Sequence, residues 1–251
     1  VEAASRAAAK AIYLGDRTVL AMVLGERRMV LDSTDRGIVP HLIFDGFWES
    51  WVTAWIANNL REGEVALNIG ANCGYYAVMM ARKVGRTGRL VAIEPNARHV
   101  ENIRHSMHLN GFHDRSTVVQ AVASDSPGER RFNMREDGMT MNSAVSEEGD
   151  VIVDSVCADE VCGEATFAVI DTEGHEPLVW EGMKRIRRNA EFRAVIEWSP
   201  ARYKDPRSFY DRILGEGFVC THVAHDGSEQ PAPESMMMDG IERMVVLRRS
   251  Q

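Results

Sequence analysis

The chain has 251 residues, 45% hydrophobic and 26% charged, with 37 acidic against 29 basic side chains and a net charge of −8. That composition belongs to a globular chain able to bury a sizeable core, which excludes fibrous and disordered classes, and the negative balance argues against nucleic acid as a partner. Apolar runs such as Val19–Leu24 are far shorter than the about 20 residues of a membrane-crossing helix, and the first residues lack the apolar stretch of a secretory signal, so a cytoplasmic location is expected.

In chain order, Thr18–Val23 and Arg28–Asp32 are rich in β-formers, with Gly25-Glu26 as the turn of a hairpin. Trp48, Trp51, Val52, Trp55, Ile56 and Leu60 recur at helical spacing. Residues 1–60 therefore read as an accessory hairpin and helix, and 61–251 as the main domain. After the turn Arg61–Glu64, short apolar runs alternate with helical stripes. The runs are Val65–Ile69, Leu90–Ile93, Thr117–Val119, Phe167–Ile170, Ala194–Ile196, Phe218–His222 and Met244–Leu247. The stripes are Tyr76–Val84, Asn96–Leu109, a helix opened by Pro177, and one near Ser208–Leu214. Continuous apolar strands alternating with helices predict an α/β fold, with a mostly parallel sheet and helices on both faces. The basic run Lys184–Arg188 reads as a solvated helix face, and Gly138–Ser143 and Pro231–Gly240 as loops, either lids or connectors. Cys73, Cys157, Cys162 and Cys220 show no CxxC spacing, which points to free thiols rather than a zinc site.

The strongest local signal is Val65-Ala66-Leu67-Asn68-Ile69-Gly70-Ala71-Asn72-Cys73-Gly74, between a strand and a helix. Gly70 allows a sharp turn and Gly74 a close approach of the helix N-terminus. The next strand ends in Glu94, where a carboxylate can accept from both hydroxyls of a ribose. A dinucleotide pyrophosphate calls for G-x-G-x-x-G. The G-x-x-x-G found here, with Asn68 before it, suits a nucleoside carrying an amino acid tail, S-adenosylmethionine.

The stretch from Ala66 to Phe112, ALNIGANCGYYAVMMARKVGRTGRLVAIEPNARHVENIRHSMHLNGF, together with VIDTEGHEPLVWEGM (Val169–Met183) and the lead-in GFWES (Gly46–Ser50), resembles the FkbM-family methyltransferases over roughly Thr18–Leu247. The resemblance implies a class I, Rossmann-like methyltransferase fold. It also implies S-adenosylmethionine-dependent O-methylation of a hydroxyl on a sugar, glycoconjugate or natural product, hence a small-molecule or glycan acceptor, with self-association into a homo-oligomer left open. The family usually has Asp where this chain has Asn68, and often Lys where it has Val169. Carried over by position, Gly70, Asn72 and Gly74 would line the methionine portion, and the Asn68 amide would hydrogen-bond the methionine tail. Glu94 would hold the ribose, Gln120 would face the adenine edge, and Glu49 would approach the methionine amine or cap a helix.

The second constellation, Asp171-Thr172-Glu173-Gly174-His175-Glu176, lies at the C-terminal end of a strand, the edge where ligands bind in open α/β sheets. A sugar hydroxyl needs a base within about 3 Å as the methyl group arrives. His175 has a suitable ordinary pKa, with Asp171 or Glu173 to orient it. Nearby carboxylates would raise that pKa, so activity would climb through about pH 7. Two other readings stay open. His175 and the acids could simply complement a helix N-terminus, or Asp171, Glu173 and Glu197 could hold a divalent cation such as Mg²⁺. His99, His105 and His108 read as surface residues without a carboxylate partner. Methyl transfer to nitrogen or a carboxylate, and a non-catalytic cofactor-binding domain, are the competing functions.

Overall fold

Strand residues alternate between the two faces of a sheet, and here both faces are apolar. A computed structural model describes residues 2–135, 138 and 143–250. The chain opens with α1 (Glu2–Ala8), β1 (Lys10–Gly15), β2 (Thr18–Val23), β3 (Arg27–Asp32), α2 (Val39–Phe44) and α3 (Ser50–Asn59). The main run is β4 (Val65–Ile69), α4 (Tyr75–Lys83), β5 (Arg89–Ile93), α5 (Ala97–Leu109) and β6 (Ser116–Val119). Short strands β7 (Val122–Ala123), β8 (Gly128–Asn133), β9 (Ala144–Val145) and β10 (Val151–Val156) follow, with α6 (Ala158–Cys162). The remainder is β11 (Phe167–Ile170), α7 (Glu176–Glu181), β12 (Arg193–Trp198), α8 (Pro206–Gly215), β13 (Phe218–Val223), β14 (Glu229–Pro231), α9 (Glu234–Met237) and β15 (Arg243–Arg249).

Eight strands form one sheet in the order β14-β13-β15-β12-β11-β4-β5-β6. β6, β5, β4, β11 and β12 are mutually parallel, whereas β15 runs antiparallel between β12 and β13. Ala66, Leu90, Ala92, Phe167, Val169 and Val195 face α3, α4 and α5 on one side. Leu67, Ile69, Val91, Ile93, Ala168 and Ile170 face α6, α7 and α8 on the other. The chain goes outward through β4, β5 and β6 and then returns to β11, so the direction of winding changes between β4 and β11. That switch opens a crevice at the C-terminal ends of the strands.

The predicted strands of the main run are all present, and the expected mostly parallel α/β sheet is the Rossmann-like arrangement. Three features differ from expectation. The N-terminal hairpin is a three-stranded sheet, β1-β2-β3, and it shares the buried cluster of α3 and α4 through Val19, Ala21, Met29 and Leu31. Between β6 and β11 stands a second sheet, β7-β10-β8-β9, for which the sequence shows no strand pattern. The run Lys184–Arg188 is not a solvated helix face. α7 ends at Glu181, Ile186–Arg188 is a single 3₁₀ turn, and Arg187 is buried, its guanidinium over the Trp180 ring and paired with Glu216.

Of the two predicted loops, residues 139–142 lie outside the described residues. Pro231–Gly240 contains α9, with Met237 buried and its carbonyl accepting from Trp198 Nε1 at 2.7 Å. Met237 thus packs in the core, with Met236 and Met238 half-buried against it. Among the described residues, no helix is long and apolar enough to cross a membrane.

Candidate active site

Gly70, directly after β4, has φ +74, and a Cβ there would lie 1.7 Å from the Asp171 carbonyl oxygen. The two candidate loops are therefore in backbone contact: the turn after β4 leans on the start of the loop after β11. Asp171 N–H donates to the Ile69 carbonyl at 3.0 Å, and Gly70 N–H to that of Ile93 at 3.0 Å, which locks three strand ends together. A pocket opens above them. Its walls include Glu49, Gly70, Asn72, Tyr76, Glu94, Asp171, Glu173, His175 and Glu197, with Phe132 and Val145 of the small sheet and Ser143 just before β9.

The cofactor half is built around Glu94. Its Oε2 accepts from Asn72 N–H at 2.8 Å and its Oε1 from Asn96 N–H at 2.9 Å. These two bonds fix a buried carboxylate at the rim, with lone pairs left for ligand hydroxyls. His99, one turn into α5, is buried with Nδ1 3.6 Å from Glu94 Oε1 and lines the pocket. This corrects the surface reading, since the turn after β5 folds the first turn of α5 back onto the strand end. Gly74 lies outside the pocket lining, and its missing Cβ leaves room for Ile103, 2.6 Å from where that atom would stand. Gln120 lies outside it too, exposed beside a separate hollow with Pro95, Glu129 and Asp154.

Asn68, expected at the methionine tail, is instead buried in β4 outside the pocket lining, and its Oδ1 has no hydrogen-bond partner. Its register partner on β11 is Val169. The two departures from the family pattern thus occupy one cross-strand pair. A chain that lacks the lysine has no buried cation to balance an aspartate at position 68, and a neutral amide avoids that cost.

The acceptor half is crowded with carboxyls. Glu49, Asp171, Glu173, Glu197 and Glu242 share the pocket with one guanidinium, that of Arg202. Arg202 is paired with Glu173, lies 3.5 Å from Glu242 and stands 4.0 Å from Glu197. One oxygen each from Asp171, Glu173 and Glu197 fall within 4.8 Å of one another, so the three expected ligands do converge, with the Arg202 guanidinium among them. Burial, then mutual repulsion, drives the Asp171 carboxyl well above the ordinary carboxylate range, with Glu49, Glu176 and Glu242 as neighbours. Burial and Asp171 do the same to Glu197. Burial also raises Glu49, whose Oε2 accepts from Tyr76 Oη at 2.5 Å.

His175 departs from expectation. Its ring meets Ser124 Oγ at 3.1 Å rather than a carboxylate, because Glu173 is turned toward Arg202. Burial, then the charge of Arg130, lowers its pKa to about 4, the reverse of the expected rise. It is a neutral ring at the N-cap of α7. The loop instead owes its shape to Glu176, which the sequence reading passed over. This fully buried carboxylate accepts from Thr172 N–H and Oγ1, both at 2.7 Å, and from Gly174 N–H at 3.0 Å. Cys73, also in the wall, has its thiol pushed up to about 12 by burial and stays protonated. Six non-glycine residues among those described have positive φ. Three of them, Glu49, Asn72 and Glu173, line this pocket, which is where strained backbone concentrates when a site over-determines it.

Comparison with known proteins identifies the family. The methyltransferase FkbM domain matches residues 68–219, more than half of the chain. Protein-L-isoaspartate O-methyltransferases 2 and 1 of Archaeoglobus fulgidus are 33% and 34% identical over 61 residues. Each of these matches spans 24% of this chain and 28% of the relative's length. Among solved structures, P. horikoshii TYW2 in complex with MeSAdo superposes with a TM-score of 0.50 at 13% identity, covering 94% of this chain and 71% of that one, a likeness of fold. The turn at Gly70, the fixed carboxylate of Glu94 and the crevice at the β4–β11 switch fit an adenosyl cofactor, and the chain belongs to the FkbM family of S-adenosylmethionine-dependent methyltransferases.

Proposed function

We propose that the chain moves the S-adenosylmethionine methyl group onto a hydroxyl oxygen of a small polar acceptor, a sugar, glycoconjugate or natural product, and that Asp171 takes the hydroxyl proton. The observation that carries this reading is the placement of Asp171. It stands at the end of β11, against the Gly70 turn, in the same pocket as Glu94, with its carboxyl raised toward a base's useful range by burial. Gly70, Asn72 and Glu94 would hold the nucleoside, and Glu49 would stand near the methionine end. S-adenosylmethionine supplies the electrophilic methyl group. The chain's part is to align the acceptor oxygen, exclude water beneath the small sheet and receive one proton at an Asp171 oxygen. His175, neutral and bonded to Ser124, would position the loop rather than carry the proton.

A carboxylate acceptor, suggested by the names of the Archaeoglobus relatives, would enter a pocket already rich in carboxyls and be repelled. The reading is tested by incubating purified protein with S-adenosylmethionine and hydroxyl acceptors, following S-adenosylhomocysteine release and locating the methyl group by mass spectrometry. Asp171→Asn should lower kcat by about 10²–10⁴ and leave the cofactor Kd within a few-fold, while His175→Ala costs far less. Transfer to nitrogen, or a collapse in His175→Ala with Asp171→Asn active, would refute it.

A further inference from the structure

We propose that the acceptor carries a positively charged amine beside the hydroxyl that is methylated, and that Glu197 is the residue that selects it. This rests on the methyl-transfer reading above and extends it to the acceptor's chemical class.

The argument begins with charge. Five carboxyls meet one guanidinium in the acceptor half of the pocket. S-adenosylmethionine adds one net positive charge, from a sulfonium and an ammonium against a carboxylate. Among the described residues the pocket then offers counter-charge for two of the five carboxyls, and the buried ones, Asp171, Glu197 and Glu49, stay protonated unless a ligand supplies a further cation.

Glu197 gives the surplus a direction. It is the penultimate residue of β12 and is only 7% exposed, and its Oε2 is buried without a hydrogen-bond partner. Arg202, 4.0 Å away, is beyond hydrogen-bond reach and is committed to Glu173. The Glu197 carboxyl faces the same space as the Asp171 carboxyl, since one oxygen of each lies within 4.8 Å of the other. Two N–H···O bonds of about 2.9 Å from one tetrahedral nitrogen span such a separation. A divalent ion is the weaker fit: it would need Glu173 as its third ligand, and that carboxylate is occupied by a permanent cation which would repel the metal.

The arrangement also assigns the two roles. Glu197 holds the nitrogen as ammonium, which has no lone pair, so the methyl group goes to oxygen. The S–CH₃ bond breaks, the O–CH₃ bond forms, the sulfonium becomes a neutral thioether and the hydroxyl proton passes to Asp171. Arrival of the ammonium favours the ionised form of the buried carboxyls, so the base becomes competent when the correct acceptor is in place.

The test uses the full chain saturated with S-adenosylhomocysteine. Glucosamine, N-acetylglucosamine, glucose and MgCl₂ are titrated separately by calorimetry, in two buffers of different ionisation enthalpy. Glucosamine should bind about tenfold or more tightly than the two neutral sugars, with proton release. Glu197→Gln should abolish that preference and the proton release while the affinity for S-adenosylhomocysteine is retained. A neutral structural role for Glu197 would move neither. Equal affinity for the three sugars, no saturable binding of glucosamine, or saturable Mg²⁺ binding that Glu197→Gln removes would each overturn the proposal with the cofactor reading intact. Failure to bind S-adenosylhomocysteine would overturn that reading, and this proposal with it.

Discussion

Replacing Glu94 by Gln separates two jobs that one carboxylate performs. Its oxygens accept from Asn72 N–H at 2.8 Å and Asn96 N–H at 2.9 Å. The amide of glutamine keeps one acceptor and turns an N–H₂ toward the other donor, leaving a part-buried backbone N–H unpaired. That costs about 1–3 kcal/mol of stability, which for a chain of this size lowers Tm by roughly 2–10 °C. The ribose contacts lose their charge assistance as well. At about 1.5–3 kcal/mol for a hydrogen bond to a charged group, with tenfold in Kd for each 1.4 kcal/mol, cofactor affinity should fall about 10- to 100-fold. Calorimetry with S-adenosylmethionine and with S-adenosylhomocysteine should show equal losses, because the ribose is common to both. A lowered Tm with both Kd values unchanged would make Glu94 a brace for the Asn72 turn and nothing more. A loss confined to S-adenosylmethionine would place Glu94 at the charged end of the cofactor. Either result refutes the assignment.

Gly70→Ala should abolish turnover and lower Tm, because the new methyl group would lie 1.7 Å from the Asp171 carbonyl at a φ of +74; a variant with normal kcat and Tm would show that the two loops move apart freely. The raised carboxyls Asp171, Glu197, Glu49 and Glu176 bind protons in the folded state that the unfolded chain has released above about pH 4. Their contribution is complete on the acid side and shrinks as pH rises through the raised values. The depressed His175 works the other way and loses stability only below about pH 6.5. Ligand-free Tm should therefore fall from pH 7 to pH 9, and fall less in Asp171→Asn; a Tm that rises over this range contradicts the assignment. Arg187→Met should cost about 1–2 kcal/mol in urea unfolding, through the loss of a buried contact with Glu216, whose side chain is 31% exposed, and of packing on Trp180. An unchanged midpoint would mean that the guanidinium adds nothing.

The parallel strands were legible because each is a continuous apolar run, and a strand covered on both faces has no other way to read. The Gly70 turn and Glu94 were legible because the glycine spacing and a strand-terminal acid form a local signature. The small sheet was not. β8 reads Gly-Glu-Arg-Arg-Phe-Asn with one buried residue, and β7 and β9 are two residues each, too short for any period to show. His99 escaped because its partner comes from the preceding strand, and only the turn at Pro95–Asn96 brings them together. The pKa of His175 was misjudged for a related reason. Sequence proximity put Asp171 and Glu173 near it, yet backbone direction in the loop sends Glu173 to Arg202 and leaves the ring against Ser124. Asn68 and Val169 could be recognised as unusual from the sequence, but only the register shows that they are a pair.

The position of β15 affects how the chain comes to its fold. This strand follows every other one in the sequence, yet it lies inside the sheet, paired with β12 on one side and β13 on the other. Until residues 243–249 are available, both partners expose open hydrogen-bonding edges. The face carrying Ile196, Trp198 and Phe218 also lacks Val245 and Leu247. A growing chain must hold that half-built surface while the β4–β5–β6 side, made of nearer neighbours in sequence, can already close. Production failures in this protein should accordingly arise as aggregation of intermediates in which β15 has not yet paired, through unpaired strand edges, with lower temperature or slower synthesis as the remedy.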